Sequence, residues 1–183
     1  MSETFISVDI EASGPVPGEF SMLSVGACLV YEPTQTFERV LKPTTMNFDP
    51  EALAVTGFSL DELNRNGDTP EECMRAFADW LQAAVPSGSK PVFVGLNAAF
   101  DWSFVNYYFI KFLGVNPFGF APLDIKAMYM GVFGCSWKET KSSLMTKALN
   151  AQLQGNHNAL TDAVFQAELF RLMHQKATFQ KRD

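Results

Sequence analysis

The chain predicts a mixed α/β fold, a sheet with helices packed on both faces, and three observations carry that expectation. Three strand-like segments come first with no helix between them. Strand and helix signals then alternate through the remainder. Apolar residues make up 47% of the 183 and charged residues 19%, a balance that fills a core and argues against disorder. At this length one domain, residues 1–183, is the default.

Residues 5–11, 20–31 and 36–42 read as successive strands, with turns at Gly14-Pro15-Val16-Pro17-Gly18 and Glu32-Pro33-Thr34. In the first, the side-chain period of two sets Val8 and Ile10 on one face and Asp9 with Glu11 on the other. Two short helices are expected near Pro50–Val55 and Ser59–Asn64, the second capped by Ser59. Thr69-Pro70-Glu71-Glu72 opens a longer helix: the threonine hydroxyl caps, proline lacks only an N–H that a first turn leaves unpaired, and the glutamates favour the dipole. Its apolar stripe is Cys73, Phe77, Trp80, Leu81 and Ala84, and it ends near Pro86-Ser87-Gly88.

Val92-Phe93-Val94-Gly95 is continuously apolar, as a strand buried on both faces requires. The helix from Ala98 to Leu113 has little polar surface and should be central. Leu123-Asp124-Ile125 closes a last strand, with Asp124 capping the next helix. Lys138 to Asn150 contains another helix and Asn158 to about Lys176 the last, with His174 near the end where a protonated ring opposes the dipole.

Composition bounds function. No apolar run reaches the roughly 18–20 residues of a membrane span, and Met1-Ser2-Glu3-Thr4 has no basic leader character, so a soluble cytoplasmic protein without a membrane partner is expected. Cys28, Cys73 and Cys135 are odd in number and form no CxxC pair, which points to neither a disulfide framework nor a thiolate zinc site; Cys28, inside an apolar strand, should be buried and inert. The net charge of −6 argues against coating long nucleic acid, which needs a basic surface, and leaves open an enzyme that grips a chain end.

The chemistry lies in Asp9-x-Glu11, Asp101 and His157-x4-Asp162. Asn97-Ala98-Ala99-Phe100-Asp101 and Asn158-Ala159-Leu160-Thr161-Asp162 share the pattern Asn-Ala-x-x-Asp. Each reads as a helix start with Asn at the N-cap and the aspartate in the first turn or just past it. Two carboxylates 4 Å apart repel by about 4 kcal/mol at an effective dielectric near 20, a severe load against a total stability of roughly 5–15 kcal/mol. Two Mg²⁺ ions, with Mn²⁺ able to substitute, remove that load. Such ions prefer hard oxygen ligands and, about 3.5–4 Å apart, stabilise the attacking and leaving oxygens of a displacement at phosphorus. Phosphodiester hydrolysis is the reaction they favour. His157, with an ordinary pKa of about 6.5, suits proton transfer from the attacking water.

Asp9-Ile10-Glu11-Ala12-Ser13-Gly14, Asn97 to Asp101 and His157 to Asp162 resemble the first, second and third motifs of the DEDDh 3′–5′ exonucleases, a group that includes ribonuclease T, oligoribonuclease and the proofreading subunit of bacterial DNA polymerase III. The motifs span almost the whole chain. The resemblance implies a ribonuclease-H-like fold, a mixed five-stranded sheet whose second strand is antiparallel. It also implies that Asp9, Glu11 and Asp162 hold the ion that activates water, that Asp9 bridges to a second ion oriented by Asp101, and that His157 is the general base. Nucleoside 5′-monophosphates would leave the 3′ end of single-stranded or short nucleic acid, and the partner would be a second copy or a polymerase. Ser13 stands where such motifs often carry threonine, and Leu96 where many relatives have histidine.

Ser13, Gly14, Met22, Asn97, Phe100 and Asn158 flank these motifs and are the candidate substrate contacts. Phe20, Leu23 and Trp102 also flank them, although core packing competes for Leu23, Phe100 and Trp102. Lys138 and Lys141 beside Trp137 form the best local basic-aromatic cluster. No residue type distinguishes DNA from RNA. A second reading, an exonuclease-fold module that docks to a polymerase or another nucleic-acid enzyme, is disfavoured by the intact acids and His157.

Overall fold

The computed structural model describes residues 2–179. A five-stranded sheet runs in the order β3-β2-β1-β4-β5, formed by β1 (Ser2–Ala12), β2 (Met22–Leu29), β3 (Thr36–Val40), β4 (Ser89–Gly95) and β5 (Leu123–Asp124). β2 is antiparallel to both neighbours, while β1–β4 and β4–β5 are parallel. The five-stranded sheet with a reversed second strand is therefore present.

Helices cover both faces. On one, α3 (Pro70–Ala84) and α4 (Ala99–Leu113) bury Phe77, Phe104 and Phe109 with Ile6, Val8, Ile10 and Phe93 of the sheet. On the other, α5 (Ile125–Phe133), α6 (Ser142–Leu149) and α7 (Ala159–Phe179) pack Ile125, Met145, Phe165 and Phe170 over Cys28 and Val94. Phe93 and Val94 are adjacent and both fully buried, as the continuous apolar run anticipates. The short helices α1 (Pro50–Thr56) and α2 (Leu60–Asn66) close over Leu23. The opening of α3 is a full capping box between Thr69 and Glu72.

Some boundaries differ from the expectation, each for a local reason. β4 starts at Ser89 because β1 pairs with it from Ser2↔Ser89 to Ser7↔Val94. β2 begins at Met22, where the pairing with β1 shifts register at Glu11/Ala12. Asn97 is not an N-cap: its φ is +66°, a left-handed turn that asparagine tolerates, and α4 has Ala98 at the cap position with no side-chain cap of its own. Asp124 supplies the acceptor instead, one oxygen taking the Ala98 N–H at 2.6 Å and the other capping α5 through Ala127 N at 2.7 Å. The helix expected within 138–150 is α6, and a separate turn precedes it. A 3₁₀ turn, Trp137–Thr140, is closed by a Ser136–Glu139 capping box, and Lys141 is extended at φ −63°, ψ 136° before α6 begins. His174 lies within α7 rather than at its end, packed on Phe5 and Phe170 with Tyr31 hydroxyl bonded to Nδ1.

Cys28 is fully buried, its thiol directed at the Ala163 carbonyl, and burial pushes its pKa up to about 12. No helix among the described residues is long and apolar enough to cross a membrane.

Candidate active site

β1, the central strand, presents Asp9 and Glu11 toward α7. On β2 the residue opposite Asp9 is Gly26. The first turn of α7 rests on it so closely that a Cβ there would lie 2.2 Å from Leu160 N and 2.3 Å from the Ala159 carbonyl carbon. The missing side chain lets the helix start sit on the sheet, and the helix then carries Asp162 over β1. Asn158 caps α7, its Oδ1 accepting from Thr161 N at 2.9 Å, while its amide donates to Glu38 Oε1 on β3 at 3.1 Å. The cap also anchors the helix laterally.

Asp101 arrives from α4. Beyond Ser7↔Val94 the ladder between β1 and β4 stops, and Asp101 Oδ1 accepts the Ile10 N–H at 3.1 Å in its place. The carboxyl is only 4% exposed. The segment before α7 wraps Asp162: Oδ1 accepts from Asn156 N at 2.7 Å and Oδ2 from His157 N at 3.1 Å. His157 adopts φ +62°, and a Cβ on Gly155 would come within 2.6 Å of Asp162 Oδ1.

Glu11, His157 and Asp162 offer ligand atoms that all lie within 4.8 Å of one another. Burial, followed by the charges of Asp101, Asp162 and Glu11, raises the Asp9 carboxyl well above the usual carboxylate range, and a hydrogen bond from Gln166 opposes the rise. Burial and then Asp162 raise Glu11 to about 7. Burial raises Asp101 to about 8, against the pull of hydrogen bonds from the Ile10 and Asp101 backbone. Asp9, Glu11 and Asp101 thus share one low-dielectric region. Gln166, one turn along α7 from Asp162, donates to Asp9 Oδ1 and accepts from Leu96 N at 2.9 Å, joining β1 to the β4–α4 loop.

This donor set suits hard divalent cations. Acidic oxygens whose mutual repulsion and burial disfavour ionisation are stabilised as anions once such charge is bound. The buried hydroxyl of Ser24, opposite Glu11 in the sheet and without a partner among the described residues, adds a further oxygen beside them. A cleft of about 510 Å³ opens over the group, with Asp9, His157, Asp162 and Gln166 on one side and Ser142, Ser143 and Thr146 of α6 on the other.

The structure brings together all five residues of the sequence motifs, but it redistributes the flanking candidates. Met22 is fully buried in the core and cannot reach a substrate. Ser13 is fully buried too, its hydroxyl donating to the Asn47 carbonyl and accepting from Ser21 N, so its role is to shape the turn. Gly14 is buried against the Phe20 ring. Phe100 is half-buried against Phe104. Asn97 is exposed, and the exposed Asn158 already uses both ends of its amide. Gly26, Gly155, Gln166 and the second role of Asp124, as acceptor for Ala98 N, were not foreseen. A glycine inside a strand signals close approach, and Gln166 lies at i+4 from Asp162, on the same helical face; nothing local marks that second role.

The family model described as Exonuclease, RNase_T, matches residues 6–170. A 3′-5′ DNA exonuclease of Escherichia coli, Cap18, is 50% identical over 181 residues, covering 99% of this chain and 97% of its own length. Among solved structures, the nuclease domain of 3′hExo, a DEDDh family member bound to rAMP, superposes with a TM-score of 0.75 at 17% identity over 95% of this chain and 92% of that one. E. coli exonuclease I in complex with a dT13 oligonucleotide gives 0.75 at 16% identity over 99% of this chain and 43% of that one. At such identities the structures attest the fold.

Proposed function

As a member of the RNase_T exonuclease family the protein is a 3′–5′ exonuclease, and we propose that it hydrolyses single-stranded DNA from the 3′ end, releasing nucleoside 5′-monophosphates. The observation that carries this reading is the meeting of Asp9, Glu11, Asp101, Asp162 and His157, drawn from three distant parts of the chain, in one cluster of which Asp9, Asp162 and His157 line the cleft. The half-identical relative named for DNA supports the sugar preference. The family match over residues 6–170 supports a single exonuclease domain.

We assign Asp9, Glu11, Asp101 and Asp162 to two divalent ions, Mg²⁺ with Mn²⁺ able to substitute. When bound, such ions supply the positive charge that stabilises the attacking and leaving oxygens. His157 accepts the proton of the attacking water at a ring nitrogen as the water oxygen bonds to phosphorus and the 3′-oxygen of the preceding nucleotide departs. Gln166 fixes the rotamer of Asp9, and the Ile10 N–H fixes that of Asp101.

The test uses oligonucleotides labelled at either end, incubated with Mg²⁺ or Mn²⁺. Wild type should convert 3′ label to mononucleotide at once and shorten 5′-labelled DNA stepwise, while Asp9→Ala does neither. Internal cuts in the 5′-labelled strand, or equal rates in both proteins, would overturn the assignment.

A further inference from the structure

Outside the acidic centre, one surface carries charge of the opposite sign. Residues 125–150 contain four lysines, Lys126, Lys138, Lys141 and Lys147, against one acid, Glu139, in a chain whose net charge is −6. Glu139 is turned back on the chain, its carboxylate accepting from Ser136 N at 2.8 Å and Ser136 Oγ at 2.7 Å. Among the described residues none of the four lysines forms a salt bridge.

An aromatic side chain stands among them. Trp137 is 54% exposed, and Lys126 Nζ lies 4.2 Å from the centre of its ring, a cation–π pair that orients the indole and keeps the ammonium beside it. Exposing a tryptophan to this extent forgoes the burial that stabilises most aromatic residues.

Along the chain this segment adjoins the cleft. The 3₁₀ turn that carries Trp137 and Lys138 leads through Lys141 into Ser142 and Ser143, which line the cleft opposite His157 and Asp162. Lys147 is one turn beyond Ser143 on α6.

We infer that the rim formed by Lys126, Trp137, Lys138, Lys141 and Lys147 is a track for single-stranded nucleic acid on the 5′ side of the terminal nucleotide, with Trp137 stacking on a base and the lysines neutralising successive phosphates. The inference rests on the exonuclease reading of the adjoining cleft and deepens it, since it states which part of the substrate is held and by what. Charge selects the occupant: an apolar protein partner would not require four cations, whereas a polyanionic strand leaving the cleft does. Stacking and phosphate contact read every base alike, so the track confers a preference for length rather than for sequence.

The experiment compares a dinucleotide with single-stranded oligomers of increasing length as substrates for wild type, Trp137→Ala, Trp137→Phe and the triple variant Lys126→Gln/Lys138→Gln/Lys141→Gln. In wild type kcat/KM should rise with length and then level. In Trp137→Ala the ratio of long-oligomer to dinucleotide kcat/KM should fall ~10-fold through KM, with Trp137→Phe restoring most of it. The triple variant should flatten the dependence of log KM on log salt by about 2, at ~0.7 per lysine on a single strand. Length and salt responses identical to wild type in both variants would overturn the track while leaving the exonuclease reading intact. Wild type that degrades no oligomer of any length would overturn that reading, and the track with it. Unchanged circular dichroism of each variant separates these outcomes from misfolding.

Discussion

His157 and Gln166 both touch the acidic group, and they should fail differently when replaced. His157→Ala removes a proton acceptor whose ring is exposed and not needed to hold the fold, so kcat should drop by about 10²–10⁴ while calorimetric Mn²⁺ binding persists. Loss of cation binding in that variant would make the ring a ligand rather than a base. Gln166→Leu keeps the volume but removes the donor to Asp9 and the acceptor for Leu96 N. A residue that orients a ligand in this way contributes about 10–100-fold to metal affinity, so the variant should need correspondingly more Mn²⁺ for half-maximal activity. An unshifted metal requirement would show that Asp9 holds its rotamer unaided. Asp9, Glu11, Asp101, His157 and Asp162 were legible in the sequence because their chemistry depends on residue type and on a few local offsets. The burial of Met22 and Ser13 was not, because a strand buried on both faces and an irregular turn leave no periodic sign of which side chains are enclosed.

The contact between α7 and the sheet decides whether the acids meet. Gly26→Ala would drive a methyl group into the backbone of Ala159 and Leu160, and backbone, unlike a side-chain tip, cannot rotate away. We expect a loss of about 1–3 kcal/mol by chemical denaturation, together with a fall in kcat/KM as Asp162 and His157 move away from β1. Full activity in a destabilised variant would show that the helix start tolerates displacement. The capping boxes, turns and strand periods that set most elements act over a handful of residues, which is why α2, α3 and α5 start where their caps indicate. The start of α4 is different. Its acceptor, Asp124, comes from the end of β5, 26 residues along the chain from Ala98, so the Asn97 pattern pointed to the right helix and the wrong cap. The turn before α6 likewise depends on Thr140 being buried with its hydroxyl on the Trp137 carbonyl.

Taken as a whole, the molecule stores electrostatic strain at one place, and pH reports it. Glu11 rises from 4.5 to about 7 and Asp101 from 3.8 to about 8, in both cases first through burial. A carboxyl whose folded pKa lies above its unfolded value binds its proton more tightly when folded, so its stabilising effect is complete below about pH 4 and is lost as pH climbs through the folded value. In chelator the melting temperature should therefore fall between about pH 5 and 8. With saturating Mg²⁺ or Mn²⁺ it should hold steady, because the ions bind the ionised form and offset the fall. A melting temperature independent of pH in chelator would mean that the carboxylates are better solvated than their packing implies.

The sequence by itself determined the fold class, the strand that runs backwards through its motif resemblance, the helix starts that carry their own caps, and the five residues of the site, since each of these follows from residue type at short spacing. Tertiary structure alone decided that Gly26 admits α7, that Asp124 caps two helices, that Gln166 ties Asp9 to the β4–α4 loop, and which flanking residues lie open to a substrate. These are contacts between segments far apart in the chain, and they exist only once the sheet order places β2, β1, β4 and β5 side by side.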